Sequence, residues 1–229
     1  MLLDELIAAL RGECHNVTEC LGECPEEAFV RRTRCPEWNA KELLGHVYRA
    51  VDRIDVYLSE PAPTAATHDG VTYFRSFDPL PGSTSSLGVA VRGREEAAAF
   101  PTARALVEAW NGRWPAVLER SATTDPARLV MTFGPTIRFD EYLRTRVLEV
   151  TVHGLDLADG LDIEPWATAA GRSVTAGILR GLAGEPDDGP DGVPWESIAV
   201  IEAATGRAAL SEETRRALGS RASTFPLIG

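Results

Sequence analysis

The stretch RVLEVTVHGLDLADG (146–160) constrains this chain more than any other. At about 100° per residue, Leu143, Val147, Val150, Gly154 and Leu157 fall on one arc of a helix. Leu148, Val152 and Leu155 cover much of the remainder. A helix that is apolar nearly all round is buried, so the rest of the chain has to surround it. The same wheel places Tyr142, Arg146, Glu149, His153 and Asp156 within an arc of about 80°. That polar stripe is expected to face an interior cavity. An unpaired buried carboxylate is costly, so Glu149 must be paired, protonated or bound to a metal.

The partners for such a helix are legible upstream. Leu2, Leu3, Leu6, Ile7, Leu10, Cys14, Val17 and Leu21 recur at helical spacing and predict a first helix of about five turns. A second is expected in WNAKELLGHVYRAVDRIDVYL, capped by Asn39 with Glu42 reaching back. A third lies in TARALVEAWNGRWPAVLER, where Pro115 predicts a kink or a break. RLVMTF reads as a short strand before the central helix, and Pro165 and Trp166 predict the start of a fifth helix ending near Leu182.

Two stretches interrupt this pattern. Residues 59–101 are rich in Pro, Gly, Ser and Thr, and read as a long loop that is either a functional lid or disordered. The cluster Tyr73, Phe74, Arg75 and Phe77 favours a lid. Beyond the loop GEPDDGPDGVP, the reading is a strand over SIAVIEAATG and a short helix over SEETRRALGS. The expectation is a mainly α chain. A four-helix bundle with a fifth helix occupies 1–182, with the loop 59–101 inserted, and a small mixed α/β appendage follows at 183–229.

The net charge of -11 argues against nucleic acid and against anionic lipid as partners. No run of 18 apolar residues exists, so a membrane span is not expected. Asp4 and Glu5 stand where a signal peptide would be basic. A cytoplasmic protein is the expectation, with Cys14, Cys20, Cys24 and Cys35 as free thiols.

Glu149 and His153 are one turn apart, a spacing at which a carboxylate and an imidazole can converge on one ion. An exposed or mutually bonded pair would show the same spacing. His46 is the third candidate, at the edge of the second helix's apolar stripe, where a satisfied core histidine is the ordinary alternative. His68 lies in the long loop and His15 on the first helix. Cys14, Cys20 and Cys24 with His15 have no good structural-zinc spacing.

CPEWNAKELLGHVYRAVDRI (35–54), with Pro and Trp ahead of a helical His, and FGPTIRFDEYLRTRVLEVTVHGLDLADGL (133–161), with its E-x-x-x-H-x-x-D-L ending, together carry a resemblance. They are similar to the mycothiol-dependent maleylpyruvate isomerase N-terminal domain family, a branch of the DinB-like superfamily. The resemblance implies a DinB-like four-helix bundle holding a divalent metal, usually zinc, on His46, Glu149 and His153. Asp156 matches the family's Asp, and a hydrogen bond behind a ligand suits it better than ligation. The family's isomerase carries a full second domain, whereas only 183–229 follows the bundle here, so a truncated or replaced second domain is implied.

The resemblance further implies a low-molecular-weight thiol, mycothiol, as cosubstrate, activated for attack on an electrophilic small molecule. The outcome is S-transfer if the adduct stays and cis–trans isomerisation if it rotates and expels the thiol. Arg146 is the candidate for an acidic substrate, with a salt bridge to Glu149 or Glu42 as its alternative role; Tyr142 would orient a bound group or belong to the core. Arg75 is a further candidate partner. A metal-dependent hydrolase and a binding or resistance protein using the bundle cavity remain as alternatives, and the protein is expected as a monomer or homodimer.

Overall fold

The computed structural model describes residues 1–76, 84–184 and 192–228. Four long helices form its frame: α1 (Leu3–Gly22), α2 (Ala40–Ser59), α5 (Ala103–Ala122) and α6 (Phe139–Leu161). They close a ring in which α1 packs on α5 and α6, and α2 packs on the same two. Each is about 30 Å long, and α6 is the most completely enclosed, with 17 of its 23 residues buried. This is the bundle that the all-round apolar helix demanded. α2 begins where its sequence says: the Asn39 side chain accepts from Glu42 N, and Glu42 Oε2 accepts from Asn39 N, both at 2.9 Å.

β1 (Leu129–Met131) and β2 (Thr136–Arg138) form an antiparallel hairpin that leads into α6. The strand expected in RLVMTF is therefore present. α7 (Ala169–Leu182) packs on α6 and α1. It starts later than Pro165 and Trp166 suggest, because Thr168 Oγ1 caps it by accepting from Gly171 N. Pro115 does not break α5, which continues as one helix on both sides of it.

The long stretch 59–101 is more ordered than its composition implies. Asp69 caps α3 (Gly70–Arg75), and α4 (Thr84–Ala98) lies against α2. α4 escapes a hydrophobic-periodicity reading because its contact face is built of small residues. Ala90 and Ala97 are buried, and a Cβ on Gly45 would sit 2.8 Å from both Ala97 N and Gly93 O. Close backbone approach replaces large side chains there. The expected lid is thus in part a wall of the bundle: Tyr73 is buried, while Phe77 falls outside the described residues.

The C-terminal segment corrects a second expectation. SIAVIEAATG forms α8 (Ile198–Ala204), not a strand; α9 (Glu212–Leu218) and a 3-10 turn over Gly219–Thr224 follow, with no strand among the described residues of this segment. Ser197 Oγ caps α8 by accepting from Val200 N. Its apolar residues Val200 and Ile201 share a layer with Trp195, with Leu148, Val152 and Leu155 of α6, and with Ile178 and Leu179 of α7. That layer covers the outer face of α6, which explains why the helix is apolar on more than its bundle side. No described helix is long and apolar enough to cross a membrane.

Candidate metal centre

The polar stripe of α6 meets α2 inside the bundle. His46 Nε2 lies 3.1 Å from Glu149 Oε2, and His153 Nε2 lies 3.5 Å from the same oxygen. The two imidazole rings stand edge to face, with centroids 4.8 Å apart. One donor atom from each of His46, Glu149 and His153 falls within 4.8 Å of the others. Two ring nitrogens and one carboxylate oxygen at this separation suit a divalent ion of the zinc type, with a position left for a further ligand.

The loop before α2 fixes the rings. Its ends pair through an Arg32–Asn39 bridge, and Thr33 Oγ1 donates to the carbonyls of Cys35 and Trp38. Trp38 is thereby laid flat on His46, with centroids 4.8 Å apart and planes 23° from parallel. Its Nε1 donates to Ala90 O of α4 at 3.1 Å. Gly93 makes this possible, since a Cβ there would come within 3.0 Å of Trp38 and 3.2 Å of His46.

Behind His153 lies a second polar group. His153 Nδ1 is 3.0 Å from Asp156 Oδ2, and the Cys35 thiol donates to the same oxygen at 3.2 Å. Arg207 grips Asp156 with Nη2 at 2.9 Å from Oδ2 and Nε at 3.1 Å from Oδ1. Arg34 Nε adds a longer contact at 3.4 Å. Cys35, His153 and Asp156 also cluster closely enough to hold a cation. The guanidinium already supplies positive charge there, with Arg207 Nη2 at 3.7 Å from Cys35 Sγ. Asp156 thus lies behind His153, where a buried carboxylate can orient an imidazole.

On the other side of Glu149 the stripe is aromatic. The Arg146 guanidinium lies over the ring of Tyr142 at 4.8 Å and near that of Tyr73 at 5.7 Å. Its Nη2 reaches Glu149 Oε1 at 4.0 Å, and its Nε donates to Thr145 Oγ1. Tyr57 stacks edge-on against Tyr142. Burial pushes the Tyr73 hydroxyl up to about 12 despite Arg146 beside it, and pushes Tyr142 higher still.

The charges follow from these contacts. Burial disfavours the Glu149 carboxylate, yet hydrogen bonds with His153 and His46 and the charge of Arg146 outweigh it and hold it well below the usual range. Burial, joined by the charges of His153 and Arg146, pulls His46 down against the opposing pull of Glu149. Burial also opposes a charged His153, but its bonds with Asp156, Cys35 and Glu149 carry it well above the ordinary value. The acid therefore stays ionised, with one oxygen shared between two imidazoles and Arg146 beside it.

The family described as the mycothiol maleylpyruvate isomerase N-terminal domain matches residues 10–158. The chain belongs to this family. The matched span covers most of the four-helix frame, from within α1 to near the end of α6, with the three converging donors, and stops short of α7 and the C-terminal segment. No curated protein and no solved structure matches the chain.

Of the residues singled out in the sequence, His46, Glu149, His153, Arg146, Tyr142 and Asp156 come together as one chain of contacts. Arg75 does not join them; it donates to the carbonyls of Gly181 and Leu182 at the end of α7. His68 packs beside β2 and bonds Thr67. Cys14, Cys20, Cys24 and Cys35 are free, and the first three form no cation-holding group with His15 among the described residues. Sequence reasoning missed Arg207 and Arg34. Trp38 and Cys35 were visible in the segment ahead of α2, though their contacts with His46 and Asp156 were not.

Proposed function

We propose that this protein is a metal-dependent enzyme that activates a low-molecular-weight thiol, with mycothiol favoured by the family, for attack on an electrophilic small molecule. The observation that carries the reading is the convergence of His46, Glu149 and His153 within 4.8 Å inside the bundle. These three would hold the ion, and zinc suits their two nitrogens and one oxygen best. A divalent ion there would lower the pKa of a coordinated thiol and present it as a nucleophile at neutral pH.

The chain's own groups do the rest. Asp156 holds the proton of His153 at Nδ1 and leaves Nε2 directed at Glu149. Trp38 covers one face of His46 and excludes water from it. Arg146 supplies a fixed positive charge beside Glu149, which favours an electrophile bearing a carboxylate. Tyr142 and Tyr73 hold that guanidinium in place through their ring faces. S-transfer and thiol-assisted isomerisation share the first step; product analysis separates an adduct from a cis–trans isomer.

The test is to load the protein with zinc and follow consumption of small electrophiles with and without mycothiol. The reading expects turnover that requires both. Hydrolysis without added thiol would replace it with water activation. Tight binding of an apolar ligand, indifferent to metal, would replace it with a binding protein. We further propose that the protein works in the cytoplasm as a monomer or homodimer, with 1–182 as the catalytic unit and 183–229 as its appendage.

A further inference from the structure

Arg207 lies outside the family match, in the turn that follows α8. That turn is built to deliver it. Gly206 adopts φ +76, its N–H bonds Ala203 O, and Arg207 N–H bonds Glu202 O at 2.7 Å. This is the paired ending that a left-handed glycine gives a helix. It reverses the chain so that the Arg207 side chain runs back towards α6. Arg207 Nη1 also donates to Thr205 O. A second tie, Arg34 Nη1 to Glu202 Oε1 at 2.7 Å, pins α8 to the loop that carries Cys35 and Trp38.

The guanidinium meets both oxygens of Asp156, a carboxylate with no exposed surface. Asp156 in turn holds His153 Nδ1 at 3.0 Å. A planar fork on a carboxylate fixes the direction of its lone pairs as well as its charge. We infer that Arg207 is a positioning residue of the metal centre, and that the C-terminal segment completes a site whose ligands all lie in the family domain. It acts through Asp156 and His153 and touches neither thiol nor electrophile. The inference rests on the assignment of a metal to His46, Glu149 and His153.

The test titrates the metal-free full chain with zinc against a chelating indicator, and records the visible spectrum of the cobalt(II) form. Wild type, Arg207→Met and Arg207→Lys are compared, with helix content checked by circular dichroism. Arg207→Met is expected to bind zinc about 10-fold more weakly, the lower end for partners behind a metal ligand, and to shift the cobalt bands. Arg207→Lys restores the charge without the fork, so it should recover part of the affinity while the bands remain shifted. Wild-type affinity and bands in a folded Arg207→Met overturn the inference and leave the metal site standing. If Arg207→Met does not fold, Arg207→Lys decides, and wild-type bands in that variant overturn the inference. Failure of the wild type to bind either ion overturns the metal assignment and this inference with it.

Discussion

Glu149 and Asp156 are carboxylates on one helix, on either side of His153, and their surroundings differ in kind. Around Glu149 the charges meet at 3.1 to 4.0 Å across two imidazoles and a guanidinium held mainly by aromatic faces. Around Asp156, a thiol, an imidazole and a bidentate guanidinium crowd two oxygens at 2.9 to 3.2 Å. A hydrogen-bonded buried network is rigid and has little left to offer a ligand. The Glu149 side keeps its donors converging on one point. On the proposed reading, the difference separates a part that would bind an ion from a part that would hold the first part still.

The comparison is broken most directly at its shared residue. His153→Ala should lose stoichiometric zinc while keeping near-native helix content, read by elemental analysis and circular dichroism. Retention of one zinc per chain would remove His153 from the ligand set. Asp156→Asn tests the holding side: it leaves Arg207 facing a neutral amide, so zinc affinity should fall on the order of 10- to 100-fold. Stability should fall by about 3 kcal/mol in denaturant unfolding, as when one partner of a buried ion pair is removed. Arg146→Met tests the binding side and should do the opposite, leaving zinc affinity near wild type. Its kcat/KM towards acidic electrophiles should drop on the order of 100-fold, the loss of a charge-assisted contact. If the two variants gave the same pattern, the division would fail.

Glu13 sharpens the comparison from a third position. It is buried on α1, accepts from Thr168 N and Oγ1, and lacks the cation that grips Asp156. Burial raises its pKa against the pull of Thr168 and the more distant charge of Arg172. A carboxyl raised on folding is held more tightly as the acid, so its contribution is present below the unfolded value of about 4.3 and is lost as pH rises through the folded value. The thermal midpoint of the wild type should therefore decline relative to Glu13→Gln across that window. Parallel midpoints in the two proteins would show that Glu13 titrates as it does unfolded.

The chain by itself determined the four long helices, the Asn39 cap and the burial of α6, because each is written in spacing of four residues or fewer. It also determined that Glu149 and His153 share a face, and the family resemblance brought His46 to them. Tertiary structure alone decided what periodicity cannot encode. α4 packs through glycine and alanine, which leave no hydrophobic period, and α8 took a β-branched stretch into a helix because α6 and α7 offered it an apolar layer. The grip of Arg207 on Asp156 spans 51 positions and depends on the turn at Gly206. Helical spacing is local and survives in sequence. A long-range ion pair exists only after the backbone has brought both partners to one place.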